Sequence, residues 1–222
     1  LRQGFRVVAV EANPLAVASA YADEGIRAYL RSGQLSLLNA AIAEPGGNAS
    51  HTAFFVLPRR PEQSKALSWV ALDGGEEVSV RNIECADLFR VYGEAVYMKV
   101  DVEFNTADCL ESLHFEAAER RSRGLPSRPP RLLSLEVEAT HLVEIFYDRL
   151  TALGYEWYKV CRQFLFSPGS CEHGHYSSEV LGCGSGPFGE AAVDYIAGVR
   201  WRPIRELPRD IEFLREFDQG FD

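Results

Sequence analysis

Two rhythms of apolar and polar residues alternate along this chain. Short runs rich in β-branched and aromatic residues recur at Arg6–Val10, Leu35–Leu38, "TAFFVL" (52–57), "LSWVAL" (67–72), "EVSVRNI" (77–83), "AVYMKV" (95–100), "RLLSLEV" (131–137) and "EWYKVCRQFLF" (156–166). Runs of this length bounded by polar residues predict strands. Between them the spacing turns helical. Pro14 suits the first turn of a helix with Asn13 as its cap, which predicts a helix from there to about Gly25. "CADLFRVYG" (85–93) predicts a short helix, and Thr106–Arg121 a longer one with Leu110, Leu113 and Ala117 on one face. Residues 142–155 read as an amphipathic helix stopped by Gly154. Short helices are also predicted from about Glu190 and within 208–217.

Strand, helix and strand in alternation imply right-handed crossovers and a largely parallel sheet covered by helices. The predicted fold is therefore doubly wound α/β, with an antiparallel excursion between residues 52 and 83 and an antiparallel hairpin near the end. Residues 1–166 are expected to form that domain. Residues 167–222 are expected to form an irregular extension packed on it, with Trp201 docking the glycine-rich stretch 182–189.

Composition narrows the partners. With 222 residues and 46% hydrophobic content, the chain is long and apolar enough for a globular core. A net charge of −9 argues against a nucleic-acid backbone as partner, because phosphate binding needs a basic face. The arginines of "RRSRGLPSRPPR" (120–131) sit among prolines and glycine, which predicts a surface connection. There is no run of 18 apolar residues that would span a membrane. The five cysteines, 85, 109, 161, 171 and 183, form no closely spaced pair, so neither a disulfide framework nor a zinc ribbon is predicted. Cys171, His173, His175 and Cys183 match no standard zinc spacing, and no metal site is predicted. Asn48-Ala49-Ser50 satisfies the glycosylation triplet, which alone carries no argument for secretion. Localisation stays open, with a lean to the cytoplasm.

Acids at strand ends carry the chemistry. Ligands of doubly wound sheets bind beyond the carboxyl ends of the strands. Glu11 closes the first predicted strand, where a carboxylate can accept hydrogen bonds from both hydroxyls of a ribose, and Asn13 would lie beside the attached base. Residues two apart share a strand face, so Lys99, Asp101 and Glu103 point one way. Buried charges without partners are costly, so the strand should end near Val100 and leave Asp101 and Glu103 at the open rim. There they could take a proton from an acceptor hydroxyl or position substrate. The plainer alternative pairs Lys99 with one carboxylate and makes Asp101 a helix cap. A third acidic strand end carries Glu136 and Glu138, with His141 beyond as a candidate proton acceptor or, more simply, a helix cap.

Taken in order, "GFRVVAVEANP", "LLNAAIAE", "VYMKVDVE", "CLESL", "LSLEVE" and "LTALGYEWYKV" resemble the FkbM-type methyltransferases over roughly residues 4–166. The family pattern has a strand ending V-E-P-N-P, a later K-I-D-V-E-G-x-E, and a G-Y before the last hairpin. The resemblance implies an S-adenosylmethionine-dependent enzyme that methylates a hydroxyl of a sugar or small molecule, on a Rossmann-like sheet. Carried over by position, Glu11 would bind the ribose, with Asn13 and the Asn39–Ala40 turn beside the adenine. Asp101 and Glu103 would border the methyl group and its acceptor. In-line placement is the main resource for methyl transfer from a sulfonium. Phe104 stands where the family commonly has glycine, and "EFNTAD" is longer than the family turn, which would narrow or reshape the acceptor pocket.

In such folds a first strand and glycine-rich turn precede the ribose acid by about 20 residues. Only ten residues precede Glu11 here. The expectation is a fragment without its first strand and helix, "LRQGF" being the end of that helix, which binds the cofactor poorly by itself. Two rivals follow from the same residues: a nicotinamide-dinucleotide dehydrogenase, whose ribose is held the same way, and a binding module that has lost catalysis.

Overall fold

The computed structural model describes residues 4–56, 76–102, 105–135, 143–159 and 201–210. The chain is mixed α/β, with helices set between short sheets whose strands are mostly paired in parallel. It divides into two compact units, Leu1–Glu94 with Glu111–Leu113, and Ala95–Leu110 with His114–Asp222.

In the first unit β1 (Val7–Glu11) lies parallel to β2 (Leu35–Asn39), with Val7 opposite Leu35 and Glu11 opposite Asn39. Two helices connect them: α1 (Pro14–Ala22) and α2 (Glu24–Arg31). The single helix expected to run to Gly25 is thus broken. Asp23 takes an extended backbone and its Oδ1 accepts the Ile26 N–H at 2.8 Å, so it ends one helix and caps the next. An aspartate at a helix end competes for backbone donors, which is why the chain turns there rather than two residues later.

β3 (Ala41–Ile42) pairs in parallel with the end of β5 (Glu76–Ile83), and β4 (His51–Val56) pairs with β5 antiparallel, Phe54 opposite Val78. Two strands of the expected antiparallel excursion are therefore present, while its middle strand, 67–72, lies outside the described residues. Alternate residues point to one face, so Phe54, Val56 and Val80 bury together with Ala41, and Ala12 and Val78 pack against them. α3 (Cys85–Tyr92) follows β5, and its Ala86 N–H donates to the Ser112 hydroxyl at 3.0 Å.

In the second unit β6 (Tyr97–Val100) runs parallel to β7 (Leu132–Leu135), joined by α4 (Thr106–Ser122). The face foreseen for this helix is its buried one: Cys109, Leu110 and Ala117 are all sealed from solvent, as is Leu113. Its end is built from Gly124 at φ +70°, with the Leu125 N–H reaching back to the Arg120 carbonyl. The proline-rich stretch beyond is a mostly exposed connection to β7. It is pinned where the Tyr155 hydroxyl donates to the Pro130 carbonyl at 2.6 Å.

α5 (Val143–Leu153) ends at Gly154, whose φ of +93° is open to glycine at little cost. β8 (Trp157–Tyr158) then pairs antiparallel with β9 (Arg202–Pro203). Tyr158 and Leu207 are buried against Tyr147, Leu150 and Ile204. A polar clasp covers them. The Tyr158 hydroxyl and Arg202 both donate to the Asp210 carboxylate at 2.5 Å, and Arg202 also holds Glu206 at 2.7 Å. Trp201 lies under the Lys159 ammonium, 5.3 Å from the ring centre. The expected helix from Glu190 and the glycine-rich stretch 182–189 lie outside the described residues.

The cysteines require a correction. Cys85 and Cys109 are both disulfide-bonded and almost wholly buried. Disulfides join residues distant in sequence, which a search for closely spaced cysteines misses.

Two outcomes are expected from this packing. Leu110→Ala should lower the unfolding free energy by roughly 2–5 kcal/mol, read from urea denaturation, because the side chain leaves a cavity in a fully buried site. Burial also pushes the Tyr155 phenol above its ordinary pKa of 10.0. Its folded-state value is raised, so its contribution is complete below about pH 10 and is lost as pH climbs higher, when the unfolded chain releases a proton that the folded chain keeps. The alkaline fall in stability should be shallower in Tyr155→Phe, compared by urea unfolding at about pH 8 and about pH 11.

Candidate functional site

Four of the residues singled out in the sequence meet at the carboxyl end of the β1–β2 pair. Parallel pairing in register brings Asn39 directly opposite Glu11. The Asn39 side-chain amide donates to the Glu11 carbonyl at 2.9 Å and to the Ala12 carbonyl at 3.1 Å. The Ala40 N–H reaches the same Glu11 carbonyl at 3.1 Å. One strand end is thereby tied to the turn leaving the other.

Asn13 holds the next step of that turn. Its Oδ1 accepts the Leu15 N–H at 2.9 Å, its backbone carbonyl accepts the Val17 N–H, and Pro14 occupies the first helical position. Only 5% of Asn13 is exposed, as expected of a side chain acting as a cap inside the structure. Its capping role is met as the sequence predicted.

Glu11 is partly buried, and its Oε1 accepts the Asn13 N–H at 2.7 Å. That bond fixes the carboxylate at the start of α1, where the helix dipole favours negative charge. It occupies one oxygen and leaves Oε2 with lone pairs to offer. No lysine or arginine forms an ion pair with Glu11 among the described residues. Asn39, exposed beside it, turns its amide nitrogen to the backbone. Ala40 is buried at 4% exposure and brings only its backbone to the site.

The second acidic stretch belongs to the other unit. β6 ends at Val100, as the charge pattern required, and Asp101 follows it. Lys99 and Asp101 share a face, and the Lys99 ammonium contacts the Asp101 carboxylate at 2.5 Å, each side chain about one third exposed. This is the pairing considered as the plainer alternative. The other half of that alternative fails: the residue before α4 is Asn105, so Asp101 is not its cap. Glu103, Phe104, Glu136, Glu138 and His141 lie outside the described residues.

Sequence reasoning missed Tyr97, two residues before Lys99 on the same face. Burial raises its phenol above the ordinary value, and a hydrogen bond with the Ser134 side chain offsets part of that rise. The signal was available in the alternation Tyr97, Lys99, Asp101. Also missed was the Glu84 carboxylate, which accepts the Gly46 N–H at 2.9 Å and steadies the loop after β3.

Among the described residues no group of three or more His, Cys, Asp or Glu side chains is placed to hold a metal ion. Cys171, His173, His175 and Cys183 are outside them. No helix among the described residues is long and apolar enough to cross a membrane. No protein-family model, curated protein or solved structure matches the chain.

The hydrogen bonds at the rim set an expectation for stability. Asn39→Ala removes two bonds to backbone carbonyls across the strand pair and should cost about 1–2 kcal/mol in chemical denaturation. Asn13→Ala should cost about 1 kcal/mol, and Asn13→Ser should restore most of it because a hydroxyl caps as well.

Proposed function

We propose that the chain carries the cofactor-binding half of an S-adenosylmethionine-dependent methyltransferase site, on a Rossmann-like doubly wound sheet, and acts on a hydroxyl of a sugar or small molecule. The observation that carries this reading is the rim at Glu11. A carboxylate at the carboxyl end of a parallel strand, with one oxygen bonded to the turn and the other without a hydrogen bond among the described residues, suits a ribose diol. Charge-assisted hydrogen bonds of this kind are the stronger ones. Asn13 shapes the turn on which the base would rest, and Asn39 and Ala40 form the neighbouring edge. The feature that would separate a methyltransferase from a dehydrogenase, an antiparallel hairpin within 153–166, falls partly outside the described residues. β8 pairs instead with β9 in a separate two-stranded sheet, which favours neither.

Asp101 is the proposed acceptor-side carboxylate, with Glu103 beside it in sequence. In the free protein Lys99 partly neutralises Asp101. Proton removal from an alcohol requires that carboxylate to turn from the ammonium to the hydroxyl, and Lys99 then stabilises the developing alkoxide. The same ion pair is what favours the second reading, a module that binds the nucleoside but performs no transfer.

Titration of the natural protein with S-adenosylmethionine by calorimetry tests the cofactor. Glu11→Gln keeps the shape and the bond to Asn13 but removes the charge, and should weaken binding by roughly tenfold or more. Micromolar binding by residues 1–222 alone overturns the expectation that this stretch binds poorly, and absence of binding in the natural protein overturns the methyltransferase reading. Asp101→Asn should leave the affinity intact and lower methyl transfer by roughly 10²–10⁴. Unchanged transfer removes Asp101 from the mechanism. Binding with no transfer to any hydroxyl acceptor selects the binding module.

A further inference from the structure

Two features left unused by the nucleotide-binding reading point to one chemistry. The first is the triplet Asn48-Ala49-Ser50, the single Asn-x-Ser/Thr sequence in the chain. It lies in the loop between β3 and β4, and all three residues are exposed. The loop is pinned immediately beyond Asn48. The Asn82 side-chain amide donates to the Ala49 carbonyl at 3.0 Å, and the Asn82 N–H donates to the Ser50 carbonyl at 2.9 Å. On the other side Gly46 takes φ +71° and its N–H is held by Glu84. Asn48 thus stands at an exposed tip between two fixed points. Among the described residues, a bulky polar group attached at this exposed position meets no packed side chain and disturbs no ladder bond.

The second feature is the oxidised state of Cys85 and Cys109. Disulfides form and persist in oxidising compartments and are rare where glutathione and thioredoxin keep thiols reduced. N-linked glycan addition occurs along the same route. Neither observation depends on the other: one is a surface triplet, the other a buried redox state.

We propose that Asn48 is an N-glycosylation site, and that the chain matures in the oxidising lumen of the secretory pathway. In the transfer, the Asn48 side-chain nitrogen attacks the anomeric carbon of a polyprenyl-diphosphate-linked oligosaccharide. A C–N bond forms, the C–O bond to the diphosphate breaks, and the amide loses one proton as the polyprenyl diphosphate leaves. Oxidation of the cysteines passes two electrons and two protons to the disulfide of a thiol oxidase. This placement replaces the lean to the cytoplasm and does not rest on the methyltransferase reading.

The test uses the natural protein, purified from the cells that make it with free thiols blocked at lysis. Peptide mapping with and without peptide N-glycosidase should find the peptide spanning residue 48 shifted by a glycan, released by the enzyme with conversion of that asparagine to aspartate. In denaturant, Cys85 and Cys109 should react with a maleimide only after reduction. Asn48→Gln should remove the glycan shift and leave the unfolding midpoint unchanged within about 0.5 kcal/mol, the range of exposed substitutions. An unmodified Asn48 overturns the site whatever the state of the cysteines. Free thiols at both positions overturn the compartment.

Discussion

The first unit depends on how the chain leaves β1. A parallel strand ends with its carbonyls unpaired, and burial of such groups is costly unless something donates to them. Here Asn39, from the strand opposite, supplies a side-chain amide to two successive carbonyls, and Ala40 supplies a backbone N–H. Glu11 and Asn13 complete the turn by accepting the N–H groups that the helix start leaves over. Charge at the rim is therefore a by-product of a structural requirement. The carboxylate that steadies the turn is the same one that faces the space beyond the strands.

The second unit solves a different problem with more charge. Its β8–β9 pair is only two residues long on each side, too short to hold by ladder bonds alone. Arg202 spreads its guanidinium over Asp210 and Glu206, and Tyr158 adds its hydroxyl to the same aspartate. Burial of Tyr158 raises its phenol pKa, with the neighbouring Asp210 adding to the effect, so the hydroxyl stays a donor well into the alkaline range. Arg202 is suited to this because its planar fork bonds two carboxylates at once.

Much of this was readable from residue order, and the failures have physical causes. Asn13-Pro14 announced the start of α1 because both residues act locally. The end of β6 followed from the cost of burying Lys99 and Asp101. Their pairing was only the alternative to an open acidic rim, because a two-residue repeat puts them on one face without saying whether they meet. The face of α4 followed from spacing alone. Asp23 misled because an aspartate near a helix end reads equally well as a solvent-facing residue of a longer helix. Only the orientation of its side chain towards Ile26 decides between them. The cysteines misled because oxidation depends on proximity in space. Tyr97 shares the face of Lys99, but an uncharged phenol in a strand reads as ordinary β-propensity, and only its burial beside Ser134 sets it apart.

The double grip of Asn39 has a consequence for recognition. The backbone around residues 11–13 is fixed by bonds internal to the fold. Under the function proposed above, a nucleoside docking there would meet a surface that need not be assembled around it, and little conformational freedom would be surrendered on binding. A rim so held would select its guest by shape.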